Sequence, residues 1–460
     1  MFGSWIQSHR QQIIGCLQEL LRIPSVGEES CDPNKPFGEE TDRALQYMLN
    51  LGVSHGCKVR NVDGYAGHIE IGDSDEYVAV LAHLDVVPAG TGWTYPPFGA
   101  EIHEGKIFAR GAIDDKGPAM AAFYGLLAVK ASGLPLRKKV RLILGIDEET
   151  DWRCMDHYFR KEPLPWGGFT PDADFPLIYA EKGILHFALS KPRDSVHGIN
   201  LYPVEIIGGD RPNMVPDSCR ATLIVSSQYI PVFQTTLERF CNEHGISYTL
   251  SEQGETKFAL TVEGKSAHGS LPELGVNAIT LMGKILSQFP SAESAFFEFL
   301  SSADPEGSFL GIQCSDEITG KLSCNLGLLE VNENSVRMVF DVRYPIDRTG
   351  EELVQLVQQT VRQFSFQLDV LNDKKPLYVP KDSPVVTTLQ RVYEKLAHQS
   401  SVPLAIGGGT YARAIPNAVA FGPLFPGMED LAHQKDECID IEHLIQITNL
   451  YANAIYELAK

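Results

Sequence analysis

His83 and Asp85 lie in the apolar run Tyr77–Val87, two positions apart, so on an extended strand both point to one face. An imidazole placed there can ligate a cation while the carboxylate fixes its tautomer, although a strand-end histidine bonded to a neighbouring aspartate has the same spacing. Asp114 and Asp115 stand between a strand-like segment and a helix opened by Gly117-Pro118. A carboxylate at such a junction can bridge two cations through its two oxygens, or simply cap the helix. Glu148 and Glu149 close a second apolar run, Val140–Ile146, and being adjacent they diverge. One can bind metal while the other takes a proton from metal-bound water; two solvated loop glutamates are the plainer account. Asp172, in a Pro-Asp-Ala-Asp turn, and His433, alone in a loop, say little singly. As a set, oxygen donors with one histidine per ion suit Zn²⁺, Mn²⁺ or Co²⁺. Two such sites sharing a carboxylate form a co-catalytic pair with ions about 3.5–4 Å apart, clamping a water and a substrate oxygen. The stretch from Val78 to Asp172 therefore predicts a two-metal hydrolase centre at the carboxyl edge of a buried sheet.

The elements that must position these residues follow from periodicity. Helical spacing covers Ser4–Ile23, Gly38–Leu51 and Gly117–Ser132, the last closed by Gly133 and Pro135. Strands are expected at Val59–Val62, His68–Ile71, Tyr77–Val87, Lys106–Arg110 and Val140–Ile146. This alternation implies an α/β domain with a mostly parallel sheet. From His186 the texture changes to short strands (Val204–Ile207, Ala221–Ser226, Phe258–Val262, Ser335–Arg343) among helices (Pro231–His244, Ala278–Phe289, Gly350–Phe364). A helix at Pro384–Gln399, a glycine-rich loop and a terminal helix Ile441–Lys460 return to the first pattern. The expected architecture is a discontinuous catalytic domain (1–185 and 378–460) carrying an inserted α+β lid domain (186–377).

Composition narrows the partners. The 460 residues are 43% hydrophobic, enough for a large core, and 39 Lys plus Arg against 59 Asp plus Glu leave a net charge of -20. Such a surface repels phosphate backbones and anionic lipid, so no nucleic acid and no membrane partner is expected. The one basic cluster, Arg137-Lys138-Lys139, reads as a solvated turn. Nine unpatterned cysteines point to reduced thiols and a cytoplasmic protein, with Cys438, close to His433, the one to watch. The N-terminal segment is broken by polar residues and is neither a signal peptide nor a span.

The motifs AHLDVVPAG, ARGAIDDKGP, GIDEETDW, PDADFP, NMVPD, GKSAHGS, GGGTYARA and FPGMEDLAHQKDE, in this order, resemble the metallopeptidases related to aminoacylase and bacterial glutamate carboxypeptidase. The fit to the PepV-like dipeptidases of that family is close and runs through nearly the whole chain. The resemblance implies that His83 and Asp172 bind one metal, Glu149 and His433 the other, and that Asp114 bridges them, with Asp115 secondary. It implies that Glu148 is the general base and that Asp85 supports His83. His268 resembles the histidine that stabilises the oxyanion, and Asn213 and Arg343 resemble residues that hold the substrate. The Gly407-Gly408-Gly409-Thr410 loop can offer backbone N–H groups to a carboxylate. His103, His157, His186 and His197 match no family position and are expected to be structural or solvent-facing.

The activity so implied is hydrolysis of a small peptide, a dipeptide with free amino and carboxyl ends, by a water activated between two divalent ions per subunit. Charged contacts at both ends would exclude longer peptides. Small-insert relatives dimerise and borrow the histidine from a partner; the larger insert here implies a monomer with His268 acting in cis. An N-acyl-amino-acid deacylase is the alternative within enzymes. A non-catalytic metal-binding relative is the other, and an unligated Glu148 beside a ligating Glu149 argues against it.

Overall fold

The structure is a computed structural model describing residues 2–193 and 200–460; His197 lies outside the described residues. The chain divides into two compact units. The first comprises Met1–Ala180, Tyr378–Leu404 and Thr410–Lys460, the second Glu181–Leu377 and Ala405–Gly409. The architecture is α/β with a sheet parallel at its centre, plus an inserted α+β unit. No helix among the described residues is long and apolar enough to cross a membrane.

In the first unit the strands run in the order Lys58–Val62, Ala66–Ile71, Lys139–Gly145, Tyr77–His83, Gly167–Thr170, Ala418–Ala420. The last three junctions are parallel and the first two antiparallel. Every residue of Tyr77–His83 is buried, as a central parallel strand covered on both faces requires. Helix Lys116–Ser132 is buried continuously from Lys116 to Val129, which its all-round apolar sequence anticipates, and ends at Gly133 with φ 64°. It packs against the terminal helix Ile441–Ala459 so closely that a Cβ on Gly125 would stand 2.9 Å from the Ala452 nitrogen.

Several expected elements are shortened or split for identifiable reasons. The first helix is interrupted at His9 (φ -103°, ψ 7°), giving Gly3–Ser8 and Arg10–Leu21. There the His9 ring stacks on Trp5 and its Nδ1 meets the Trp5 carbonyl at 2.8 Å, competing with the helical ladder. The strand expected to reach Val87 stops at His83, opposite Gly145, the last residue of its partner. Beyond it the Val86 N–H donates to Ser25 O instead. Likewise the strand from Lys106 ends at Phe108, limited by its three-residue partner Cys438–Asp440. Arg137 and Lys138 do form a turn, both N–H groups donating to Ala459 O, but Lys139 opens a strand and pairs with Glu70 at 3.3 Å. Helix Arg153–Lys161 is not among the expected elements, although Cys154, Met155 and Tyr158 form a buried face at helical spacing.

The second unit is an antiparallel sheet in the order Tyr248–Glu252, Lys257–Glu263, Ser218–Val225, Leu201–Gly208, Ser323–Val331, Ser335–Tyr344, Gly183–Pro192, Gln367–Lys374. Phe187, Leu223, Phe233, Met282, Phe297 and Phe340 belong to one core that joins sheet and helices. The sequence boundary at 185/186 fell inside the Gly183–Pro192 strand, whereas the compact unit begins at Glu181. The brief return at Ala405–Gly409 left no trace in periodicity, because a run of glycines has none.

Candidate metal centre

Three neighbouring parallel strands deliver the first ligand candidates from their carboxyl ends. His83 is the last residue of its strand, Glu148 and Glu149 follow Lys139–Gly145, and Asp172 follows Gly167–Thr170. Asp114 comes from the segment before helix Lys116–Ser132, and His433 from the loop ahead of Cys438–Asp440. Asp147 shapes the glutamate turn, accepting the Arg153 N–H at 2.7 Å and the Thr150 hydroxyl. Trp152 closes it by donating its indole N–H to Glu148 O at 2.7 Å.

The side chains converge. Asp114 Oδ1 is 2.9 Å from His83 Nε2, and Asp114 Oδ2 is 3.0 Å from His433 Nε2. Glu149 Oε1 also stands 3.0 Å from His433 Nε2, and Asp172 Oδ2 stands 3.7 Å from His83 Nε2. Ligand atoms of His83, Asp114 and Glu149 all fall within 4.8 Å of one another. Two groups of donors result, each with one imidazole, one terminal carboxylate and one oxygen of Asp114.

Surrounding groups hold this set. His83 Nδ1 lies 3.1 Å from the Asp85 carbonyl and 3.5 Å from Asp85 Oδ1, while Asp85 Oδ2 accepts the Glu149 N–H at 3.0 Å. Asp115 occupies the N-cap position yet makes no cap bond; its Oδ2 accepts the His83 N–H at 3.0 Å. Sequence reasoning missed Glu437, whose Oε1 accepts the N–H groups of Ile113 and Asp114. It also missed Arg110, buried against Glu437 at 2.6 Å. Cys438 is buried in the strand paired with Lys106–Phe108, and burial raises its thiol pKa.

The charges show what the cluster is suited to hold. Burial, reinforced by Asp114, pushes the Asp172 carboxyl up to about 7, and burial raises Glu148 well above the carboxylate range against the opposing pull of His83. Hydrogen bonds donated to the Asp114 and Glu149 carboxylates push His433 up to about 11. A pocket that retains positive charge on an imidazole so strongly, with more carboxylates than cations, is matched to divalent ions. The donor set of imidazole and carboxylate oxygen fits Zn²⁺-type ligation.

A second cluster lies in the inserted unit. His268 is exposed, and its Nδ1 meets the Ser270 hydroxyl at 2.7 Å and the Ser270 N–H at 3.2 Å, which places the ring proton on Nε2. Asn213 is its neighbour, accepting the Gly269 N–H at 2.7 Å. Arg343 is buried and held by Asp341 through Nε (2.7 Å) and Nη2 (2.9 Å), with Nη1 donating to Gly407 O at 3.4 Å. His186, expected to be structural or solvent-facing, faces the same Asp341 at 3.3 Å. His103 and His157 pair with Glu101 and Asp63, both at 2.8 Å.

Imidazoles and carboxylates gathered at the carboxyl edge of a parallel sheet define a metal-dependent hydrolase domain. "Peptidase family M20/M25/M40" matches residues 79–457, and the chain belongs to that family; it is a peptide-bond hydrolase. "Putative dipeptidase YtjP" of Bacillus subtilis (strain 168) is 45% identical over 466 residues, spanning 98% of either chain. "Putative dipeptidase" of Staphylococcus epidermidis is 36% identical over 472 residues, 100% of this chain and 99% of that one. Human carnosine dipeptidase 1 shares the fold with a TM-score of 0.59 at 14% identity, over 99% of this chain and 98% of that one.

Proposed function

We propose that the chain is a dipeptidase that cleaves dipeptides with free amino and carboxyl ends, using two divalent ions of the Zn²⁺, Mn²⁺ or Co²⁺ class. The observation that carries this reading is the division of Asp114 between two histidines, at 2.9 and 3.0 Å. His83, Asp172 and Asp114 Oδ1 would hold one ion, and His433, Glu149 and Asp114 Oδ2 the other. Bound there, such a pair supplies an acidified water and a polarised substrate carbonyl. The dipeptidase names of the Bacillus and Staphylococcus relatives support the substrate class.

Glu148 carries the proton: it takes one from the attacking water and returns it to the leaving amine. Its raised pKa brings it closer to the working range of a general base. Asp85 keeps the His83 imidazole oriented so that Nε2 points toward Asp114, where it would meet an ion. His268 is assigned the oxyanion donor, through Nε2–H, a kind of contact commonly worth about 3–4 kcal/mol. Arg343, with Asn213, Gly408 and Gly409, is assigned to holding the substrate, Arg343 taking the free carboxylate. Of its five N–H donors three serve Asp341 and Gly407, so two remain for a carboxylate. The catalytic domain and the insert, and a monomeric working state, complete the reading.

The test is direct. Purified protein supplied with Mn²⁺ or Zn²⁺ is assayed on plain dipeptides and on their N-acetyl forms. Release of amino acid from the plain substrates is expected. Turnover of the blocked ones alone makes the protein a deacylase and ends the dipeptidase reading.

A further inference from the structure

We infer that the buried Arg110–Glu437 ion pair is a positioning device for the His433 half of the centre, so that occupancy of one ion depends on it and occupancy of the other does not. The inference rests on the two-ion reading above. Arg110 and Glu437 are 2% and 0% exposed and meet at 2.6 Å. Most of the pair's other hydrogen bonds go to the backbone of two ligands and their chain neighbours, and Arg110 Nη2 also reaches Ala89 O at 3.5 Å. Glu437 Oε1 accepts the N–H groups of Ile113 (2.9 Å) and Asp114 (3.2 Å). Arg110 donates through Nη2 to His433 O and through Nη1 to Gln434 O, both at 3.2 Å. One ion pair thereby grips the chain at the bridging carboxylate and at a histidine more than three hundred residues away.

The two imidazoles need this help unequally. His83 ends a strand whose pairing to Lys139–Gly145 and Gly167–Thr170 fixes its backbone, and its side chain is 1% exposed. His433 has no such frame. Its side chain is 53% exposed, and its backbone sits at φ 63°, a left-handed conformation that a residue with a Cβ rarely adopts without external restraint. Arg110 supplies that restraint at the carbonyl of the strained residue itself. The Arg110 guanidinium carbon also lies over the Trp93 ring, 5.3 Å from its centroid. Loss of the Arg110 contacts frees the His433 loop, while His83 and Asp172 stay at the ends of their strands and Asp114 keeps its bond to Glu437.

Two single variants separate the parts. Arg110→Lys keeps the charge but loses the planar fork that reaches two carbonyls, and Glu437→Gln keeps an oxygen for the amides but loses the charge. Apo protein is titrated with Zn²⁺ and equivalents are counted by calorimetry and elemental analysis, alongside apo unfolding temperature. Wild type should take two equivalents. Both variants should take one with wild-type affinity and a second about 10–100-fold more weakly. Their kcat should fall with KM little changed, and excess Zn²⁺ should restore part of the loss. A pair that only stabilises the fold would lower the apo unfolding temperature and leave both equivalents tight, and that result overturns the inference. Should a single variant fail to fold, the apolar exchange Arg110→Met with Glu437→Met removes both charges together, and a tight second equivalent there overturns it as well. Fewer than two equivalents in wild type would sink the two-ion reading instead, so the two failures are distinct.

Discussion

Asp115 stands at the N-cap of helix Lys116–Ser132, yet its Oδ2 accepts the backbone N–H of His83 at 3.0 Å rather than an N–H of its own helix. The carboxylate beside Asp114 is therefore a brace for the strand end. Asp115→Ala should weaken metal binding about 10–100-fold, as loss of a ligand's supporting contact generally does. Asp115→Asn, which still offers an oxygen, should stay near wild type. A Zn²⁺ competition titration distinguishes them, and equal weakening by both changes would mean that charge rather than the bond matters.

Glu148→Gln removes the proposed proton carrier while keeping volume. A loss of about 10²–10⁴-fold in kcat is expected, with metal content near two equivalents. Elemental analysis beside steady-state kinetics reads both, and retained turnover would exclude Glu148 as the base.

The sharing of Asp114 predicts unequal outcomes for aspartates of one cluster. Asp114→Ala should abolish binding at both positions, whereas Asp172→Ala should weaken only the His83 site. Chelation of the wild type should abolish activity and lower stability, by about 2.7 kcal/mol for each ion whose free concentration had stood at 100 times its dissociation constant. Differential scanning calorimetry with and without chelator measures the stability change.

Asp341 gives a pH prediction away from the metal ligands. Burial works to raise its carboxyl, but Arg343, joined by His186, holds it at about 2, below its ordinary 3.8. A depressed carboxyl stabilises the fold fully above the unfolded value, and that contribution is lost as pH falls through the folded one. It amounts to about 2 kcal/mol and should fade between roughly pH 4 and pH 2. Urea unfolding of wild type and Asp341→Asn across that window should show the steeper acid loss in wild type; parallel curves would remove Arg343 as the cause.

Gly168 tests the sheet that carries the ligands. A Cβ there would lie 1.9 Å from the Ala79 carbonyl oxygen in the adjoining strand. Gly168→Ala should cost about 3 kcal/mol, the upper part of the range for overpacking. Chemical denaturation of the apo protein checks it, and a change under 1 kcal/mol would show that the strands can part at little cost.

The sequence by itself determined the fold class and the kind of chemistry. Strand and helix periods are local, and apolar runs ending in His-x-Asp or Asp-Glu-Glu place ligand-type donors at strand ends without reference to the rest of the chain. Tertiary structure decided which oxygen of Asp114 meets which histidine, and that Asp115 serves His83 rather than its helix. It also decided that His186, expected only to be structural or solvent-facing, faces Asp341, and that Arg110 and Glu437 tie His433 to Asp114. Those relations join residues far apart in the chain through single hydrogen bonds and ion pairs. Such contacts leave no period in the sequence, and a charged residue type does not disclose whether folding will bury it.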